Sequence, residues 1–495
     1  MPAKLMKSWF ACFVALIPLV YILFWGFRSD CGDMTELIPA VKKMIDPSLY
    51  PRDFYLNFTG SLFWHERSFM LLFLKYTLSY SFIPMVLCFY LISVLFVRGV
   101  ANICFEAGLG KSGTVVLILL LLFIAPYFSV GANELYYPML NGSSIAKCIA
   151  IWGIWYFLKG RTVASFSLLG LAVWFQVLVG LQLGLILGLI LLWREFRNPS
   201  RWIPASGLFV LLGITCVLLI LGSRLSVHAH TDLFQNLVEF RIGHHFYIRY
   251  SSILSILVYP GLVIWGFYSW RSRNVIVYQF FIVQSVFLLL YLFDQFTINS
   301  APVLQTQWLK TTIWIEFFSL ISIIGYLQEN LNYLLNRRIV LLLMFLIGCG
   351  AVYKFEKRTH SGNDESVLAE WARKNTDPNS LFVIPPEFSC FKSRSERSLW
   401  VDFKSVNHQL AYFAPWYDRI NRIYRIGLQD RRAGLDLMKI ANENYRSVNP
   451  ELLIDLNRMD GVDYFVLPVE WKIPDLRFEE MYATGNYHIV RCRPE

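Results

Sequence analysis

Ionisable residues are sparse in this chain and gather in three places where they could do chemistry. The first is the stretch 28–68, with Asp30-Cys31-Gly32-Asp33-Met34-Thr35-Glu36 followed by Asp46-Pro47-Ser48-Leu49-Tyr50-Pro51-Arg52-Asp53-Phe54-Tyr55. A carboxylate just beyond an apolar run stands at a bilayer surface, where it can take the proton of an acceptor hydroxyl. Asp33 is the favoured base, Asp53 the next, and Asp30 completes the set. The plain alternative is a solvated loop in which Asp46 caps a turn.

The second place is Glu239-Phe240-Arg241-Ile242-Gly243-His244-His245-Phe246-Tyr247-Ile248-Arg249. Arg241 and Arg249 can grip a phosphate through their planar forks, with His244 or His245 sharing the charge. Phe246, Tyr247 and Tyr250 suit headgroup depth, at the entry point of a lipid tail. Two adjacent histidines are a weak metal signal without further ligands. The alternative is an interfacial helix held by aromatics and snorkelling arginines.

The third is Gln305-Thr306-Gln307-Trp308-Leu309-Lys310, followed by Glu316. Glu316 lies about 9 Å deeper than Lys310 at 1.5 Å per residue, and an ionisable group inside an apolar span is a functional candidate by default. Asn133-Glu134 is expected to reach the same cavity, with Lys310, Gln307 and Glu134 as substrate-binding candidates. An intrahelical polar pair serving only packing is the alternative.

The elements that must position these groups follow from composition. The 495 residues are 56% hydrophobic and only 16% charged, against roughly 25% charged in a soluble domain, and the mean hydropathy is +0.47. So much apolar surface excludes a single water-soluble enzyme. Apolar runs give about 11 transmembrane helices of ~20 residues, near 8–27, 69–97, 113–130, 145–158, 163–177, 179–193, 203–222, 253–269, 275–293, 310–327 and 339–353. The pair within 163–193 reads either as one long helix or as two broken at Gly180. The first run resembles a signal peptide, but Phe27-Arg28-Ser29-Asp30 has no small-residue cleavage site, which points to an uncleaved anchor.

Charge sets the domain boundary. Residues 354–495 hold 21 Lys+Arg and 21 Asp+Glu, so the whole +10 excess lies in 1–353. That balance reflects anchoring to anionic membrane lipid and not nucleic-acid binding. The expected organisation is therefore a transmembrane domain 1–353, with a long first outer loop at 28–68, and a small soluble α/β domain at 354–495. In the tail, 381–384, 399–401, 464–467 and 488–490 read as strands. Residues 365–374 and 428–446 read as helices, and Pro450 starts another.

Lys and Arg at 98, 111, 159, 161, 194, 197, 201, 271, 273, 337 and 338 fall in segments that alternate with basic-poor ones, which places the N-terminus inside. Eleven spans then put the tail outside the cytoplasm, whereas a single span over 163–193 would reverse it. On this topology ten of the fourteen acidic residues before Lys354 lie outside: Asp30, Asp33, Glu36, Asp46, Asp53, Glu66, Glu134, Asp232, Glu239 and Asp294. So do all eight histidines, among them His65, His228 and His230. Longer outer loops alone would produce some of this asymmetry. A Cys390–Cys492 bridge is compatible with an oxidising compartment, and no cysteine spacing suggests zinc.

The arrangement resembles the C-type (GT-C) membrane glycosyltransferases, which use polyprenyl-phosphate-linked sugars at the outer membrane face. The resemblance is carried by the acidic first loop with Asp30, Asp33 and 46–53, by Gly131-Ala132-Asn133-Glu134, by Arg241 with His244-His245, and by an α/β domain after the last span. Trp371 to Pro386 is similar to the order helix, Asn-Thr, strand, Pro-Pro that follows such cores. Phe391-Lys392-Ser393-Arg394-Ser395-Glu396-Arg397 and Val401-Asp402-Phe403-Lys404 are similar to what comes next. One departure is that no adjacent Asp-Glu pair follows the first span.

The resemblance implies a transferase of the cell envelope, in a plasma (inner) membrane, moving a sugar from a polyprenyl-phosphate donor to an extracytoplasmic glycan or lipid acceptor. A first-loop carboxylate would be the base, with Arg241, His244, His245 and Lys310 at the lipid phosphate. A divalent cation is compatible with this chemistry, though no ligand set points to one. The rival classes are a lipid-linked glycan polymerase or ligase, a lipid or glycan transporter (flippase), and a non-catalytic scaffold. A transporter would need midplane polar groups and paired broken helices.

Overall fold

The computed structural model describes residues 3–78, 81–128, 130–223, 231–331, 336–360, 364–430, 435–471 and 477–493. His228 and His230 lie outside the described residues, as does the side chain of Asp232. The chain folds as two compact units. One comprises 1–27, 83–220 and 244–360, and the other 28–82, 221–243 and 361–495.

The first unit is a helical membrane domain. Among the described residues seven helices are long and apolar enough to cross a bilayer: Phe82–Glu106, Val177–Glu195, Pro199–Gly222, Ile253–Arg273, Val275–Thr297, Ala301–Asn330 and Arg338–Lys357. Their outward faces carry side chains such as Leu211, Ile264, Phe296 and Phe345, each at least 66% exposed. In water that surface would be prohibitive, whereas in hydrocarbon it costs nothing, and a helix satisfies its own backbone there. The chain is a multi-pass membrane protein.

The other apolar runs carry shorter helices, at Trp9–Trp25, Lys111–Phe123, Gly142–Leu158 and Thr162–Phe175. Two expectations change in detail. The run 69–97 is not continuous: a helix at Ser68–Phe73 passes into a π-helical turn at Leu74–Leu78, and the long helix begins only at Phe82. The run 163–193 is two helices, and the break falls at Gln176, whose backbone is extended (φ −150°, ψ 104°), rather than at Gly180. Gly180 has a packing role instead. A Cβ there would lie 2.6 Å from the Leu169 carbonyl oxygen, so its absence lets the helices Thr162–Phe175 and Val177–Glu195 approach closely.

The second unit is built on a five-stranded sheet. β1 (Leu381–Val383), β2 (Ser398–Leu399), β3 (Tyr464–Pro468), β4 (Phe478–Ala483) and β5 (Tyr487–Cys492) lie in the order β2-β1-β3-β5-β4. β1 pairs parallel with β2 and β3, while β3–β5 and β5–β4 are antiparallel. Leu368, Ala369 and Ala372 of the helix Asp364–Asn375 cover Phe382, Leu399, Val466 and Ile489 to form a sealed core. The sequence reading missed β4 and the helix Leu410–Tyr424, and it made the helix at 428–446 too long. The observed helix is Leu435–Tyr445.

This unit draws on more of the chain than 354–495. The stretch 28–82 and the segment 221–243 pack with the C-terminal residues. The physical reason is a disulfide between Cys31 and Cys390, 359 residues apart, reinforced by ion pairs. Cys390 is therefore not bonded to Cys492, which lies in β5 and forms no disulfide.

Candidate functional site

In the sheet-containing unit, Asp30 and Asp53 are held in structural work. Arg394 Nε donates to Asp30 Oδ2 at 2.6 Å, and the same guanidinium bonds Ser366, beside the disulfide. Close by, Glu365 accepts the backbone N–H groups of Cys390 and Phe391, and burial pushes its carboxyl up to about 7. Asp53 is 1% exposed and uses both oxygens. Oδ1 caps the helix Phe54–Ser61 through the Leu56 N–H at 2.9 Å, and Oδ2 accepts from Leu399 N at 3.1 Å.

Asp53 also belongs to a buried ionic knot. Lys392 Nζ is 3.0 Å from Asp402 and 4.0 Å from Asp53, and donates to Ser405 Oγ at 3.1 Å. Asp402 in turn accepts from the backbone of Lys404 and Ser405 and from the Ser405 hydroxyl. Burial opposes charge on both partners. Even so, the two carboxylates hold Lys392 above the ordinary lysine value, and Lys392 with these hydrogen bonds holds Asp402 below the ordinary aspartate value.

Asp33 is different. It stands at the N-cap position of the helix Met34–Ile45 but makes no capping bond. Its carboxylate meets Lys404 Nζ at 3.1 Å, with the side chain 53% exposed. Burial raises its pKa, but Lys404, Arg67 and Arg28 together outweigh that and hold it below the usual carboxylate range. The carboxylate is thus ionised, open to solvent and surrounded by cations.

Arg241 lies in reach of the same charge. Its Nε donates to the Phe403 carbonyl at 3.1 Å, and its guanidinium lies 4.9 Å from the centre of the Phe403 ring. Burial lowers its pKa to about 10, against the pull of Asp402 and Asp33. The residue is 9% exposed, and its terminal nitrogens have no hydrogen-bond partner among the described residues. Arg67 pairs with Glu36 and donates to the Tyr55 hydroxyl at 2.8 Å. Burial lowers its pKa to about 10 while Asp33 raises it. Glu36 also receives Val406 N–H at 3.3 Å, which fixes the strand of residues that follows Lys404.

The other candidates belong to the membrane unit. There an irregular segment at 130–137 meets another at 305–312. Asn133 Nδ2 donates to the Lys310 carbonyl at 2.7 Å. His245 Nδ1 lies 2.8 Å from the Gly131 carbonyl, and His244 and His245 sit with ring centres 4.1 Å apart. Gly131 has φ 71°, and a Cβ there would come within 3.0 Å of Leu309. Gln307 is left-handed (φ 49°), its carbonyl accepts from Gln182, and its side-chain oxygen is buried without a partner among the described residues. Arg249 spreads over Tyr247 and Tyr250 in the turn Ile248–Tyr250, as an interfacial anchor would.

Lys147 was missed. It is fully buried in the helix Gly142–Leu158, donates to Asn133 Oδ1 at 3.0 Å and to the Glu134 carbonyl, and faces the Tyr137 ring. A lysine inside an apolar run is the signal that could have found it. Arg67 and Lys404 were also missed. Arg67 directly precedes an apolar run and looks like an ordinary flanking charge. Lys404 meets Asp33 only through the tertiary fold. Among the described residues no three His, Cys, Asp or Glu side chains come close enough together to hold a metal ion.

Residues 363–423 match a family described as a domain of unknown function, DUF6798. No curated protein matches the chain. The matched segment contains Glu365, Cys390, Lys392, Arg394, Asp402 and Lys404, so it coincides with the disulfide, the ionic knot and the Asp33 partner.

Proposed function

We propose that this protein is an integral membrane glycosyltransferase of GT-C type that moves a sugar from a polyprenyl-phosphate donor to an extracytoplasmic glycan or lipid acceptor. The observation that carries the reading is the solvent-open Asp33 carboxylate within electrostatic reach of the half-free Arg241 guanidinium. A base and a phosphate-binding cation are the two groups an inverting transfer needs.

In this reading the acceptor oxygen attacks the anomeric carbon as its proton passes to Asp33. The bond from that carbon to the phosphate oxygen breaks, and both its electrons leave with polyprenyl phosphate. Arg241 stabilises the negative charge that grows on the phosphate. Asp30 and Asp53 support the base and do not replace it. Within the membrane unit, Lys147 holds the Asn133 side chain and the Glu134 carbonyl in place.

The proposed topology is eleven spans in a plasma membrane, with the sheet-containing unit outside the cytoplasm. The Cys31–Cys390 disulfide supports that side, because such a bond persists in an oxidising compartment.

The test is native mass spectrometry of the purified protein with polyprenyl phosphate, comparing wild type, Arg241→Ala and Asp33→Asn. Saturable binding that Arg241→Ala weakens about tenfold or more, and that Asp33→Asn retains, is the expected result. Equal weak binding in all three would remove the donor site and move the transporter reading to the front.

A further inference from the structure

Arg241 does not stand alone beside Asp33. Lys404, from the segment matched to DUF6798, pairs with Asp33 at 3.1 Å, and Arg67, from the first loop, pairs with Glu36, whose carboxylate also accepts the N–H of Val406, two residues past Lys404. Each is fixed on one side and open on the other. The Glu36 carboxylate and the Tyr55 hydroxyl hold one terminal nitrogen, Nη1, of the Arg67 fork. The Phe403 carbonyl and ring hold Arg241, leaving both terminal nitrogens without a hydrogen-bond partner among the described residues, in a site where the residue is nine-tenths buried. Lys404 is the residue next to Phe403, and among the described residues its ammonium pairs with Asp33 alone, with 38% of the side chain exposed.

With Arg28, also felt at Asp33, four cations surround the two carboxylates Asp33 and Glu36. Asp402, which also acts on Arg241, shares the single Lys392 with Asp53, so the wider cluster keeps an excess of one positive charge, which matches a phosphate group carrying one negative charge.

We infer that Arg67, Arg241 and Lys404 form one cradle for a phosphate group, in which Lys404 exchanges Asp33 for the incoming anion and thereby frees the carboxylate. The segment matched to DUF6798 then supplies a ligand-binding residue and is more than an appended domain. This inference rests on the proposed function only for the source of the phosphate, a lipid donor; the cradle itself is argued from geometry. It makes an unusual demand: Asp33 competes with the ligand, so removing its charge should tighten binding, whereas a base with no part in the cradle would leave binding unchanged.

The experiment titrates the full-length protein, in detergent, with polyprenyl phosphate, with the corresponding polyprenol and with inorganic phosphate. Wild type is compared with Lys404→Gln, Arg67→Gln and Asp33→Asn. Intact mass under non-reducing conditions and the melting temperature report folding. Lys404→Gln is the decisive variant, because among the described residues its ammonium pairs with Asp33 alone.

We expect Lys404→Gln and Arg67→Gln each to weaken phosphate-ligand binding by about tenfold or more, Asp33→Asn to strengthen it, and polyprenol to bind far more weakly than its phosphate. Wild-type affinity in folded Lys404→Gln overturns the cradle, even where Arg241→Ala still abolishes binding and the donor reading stands. Inorganic phosphate binding with the same variant dependence, and none by polyprenyl phosphate, supports the cradle and sinks the lipid donor. Equal binding of polyprenol and polyprenyl phosphate in all variants overturns both.

Discussion

Three aspartates that look alike in the sequence do different work because their neighbours differ. Asp30 answers Arg394, Asp53 caps a helix and pins Leu399, and Asp33 alone keeps its carboxylate open to solvent. The knot around Lys392 shows how much such neighbours matter. Lys392→Met would leave Asp53 and Asp402 buried without their counter-ion, a loss of about 3–5 kcal/mol. The pH dependence has a definite sign. The depressed Asp402 carboxyl contributes stability that is present above the unfolded aspartate value of about 3.9 and is lost as pH falls through its lower folded value. Acid unfolding followed by tryptophan fluorescence should therefore begin at higher pH in Lys392→Met than in wild type. An unshifted acid limb would mean that the knot contributes no net stability. Which acid was open could not be read from 28–68 alone, because the deciding partners, Lys404, Arg394 and Leu399, lie more than 330 positions away. What the sequence did show was the residue types: a carboxylate-rich loop and an Arg-His cluster.

Helix existence was legible where the apolar run was long, and boundaries were legible only where the backbone had a local reason to stop. The break at Gln176 is carried by one extended residue with no Pro or Gly to announce it, whereas Gly180, the residue that looked like a breaker, is a contact point. The helix Leu410–Tyr424 was hidden by Pro415, although its buried Tyr412, Trp416, Ile420 and Tyr424 recur every four residues. Close packing in the membrane unit rests on such small residues. A Cβ at Gly142 would lie 2.2 Å from the Phe175 carbonyl oxygen, which is backbone and cannot swing away. Gly142→Ala should therefore lower stability in detergent by about 1–3 kcal/mol. Gly207→Ala, with nothing within 4 Å of the added Cβ inside the helix Pro199–Phe209, should be neutral or stabilising by up to about 1 kcal/mol. Thermal melts of the pair in one detergent compare them directly, and equal melting temperatures would remove the close-packing argument.

At the scale of the whole molecule, the disulfide constrains topology in a way that hydropathy cannot. In the proposed topology segments 28–82, 221–243 and 361–495, which pack into one unit, share one side of the membrane, and the chain then crosses an even number of times between each pair. Between Gly243 and Ser361 the four long helices already give an even number. Between residues 82 and 221 there are only three, Phe82–Glu106, Val177–Glu195 and Pro199–Gly222. An odd number of the short helices Lys111–Phe123, Gly142–Leu158 and Thr162–Phe175 must therefore cross as well. All three crossing gives six, and with Trp9–Trp25 the total proposed is eleven, the number that the alternation of basic loops favours. A helix of 13 or 14 residues is short for a bilayer, and local thinning and snorkelling flanks such as Lys111 and Arg161 accommodate the mismatch. Single cysteines decide the matter through an impermeant maleimide applied to intact cells. Met459→Cys, on an exposed site of the sheet-containing unit, should label without permeabilisation. Arg161→Cys, ahead of Thr162–Phe175, should label only after it, because seven crossings separate the two positions. Equal labelling of both in intact cells would mean that Thr162–Phe175 does not span. The parity imposed by the disulfide would then require exactly one of the other two short helices to cross.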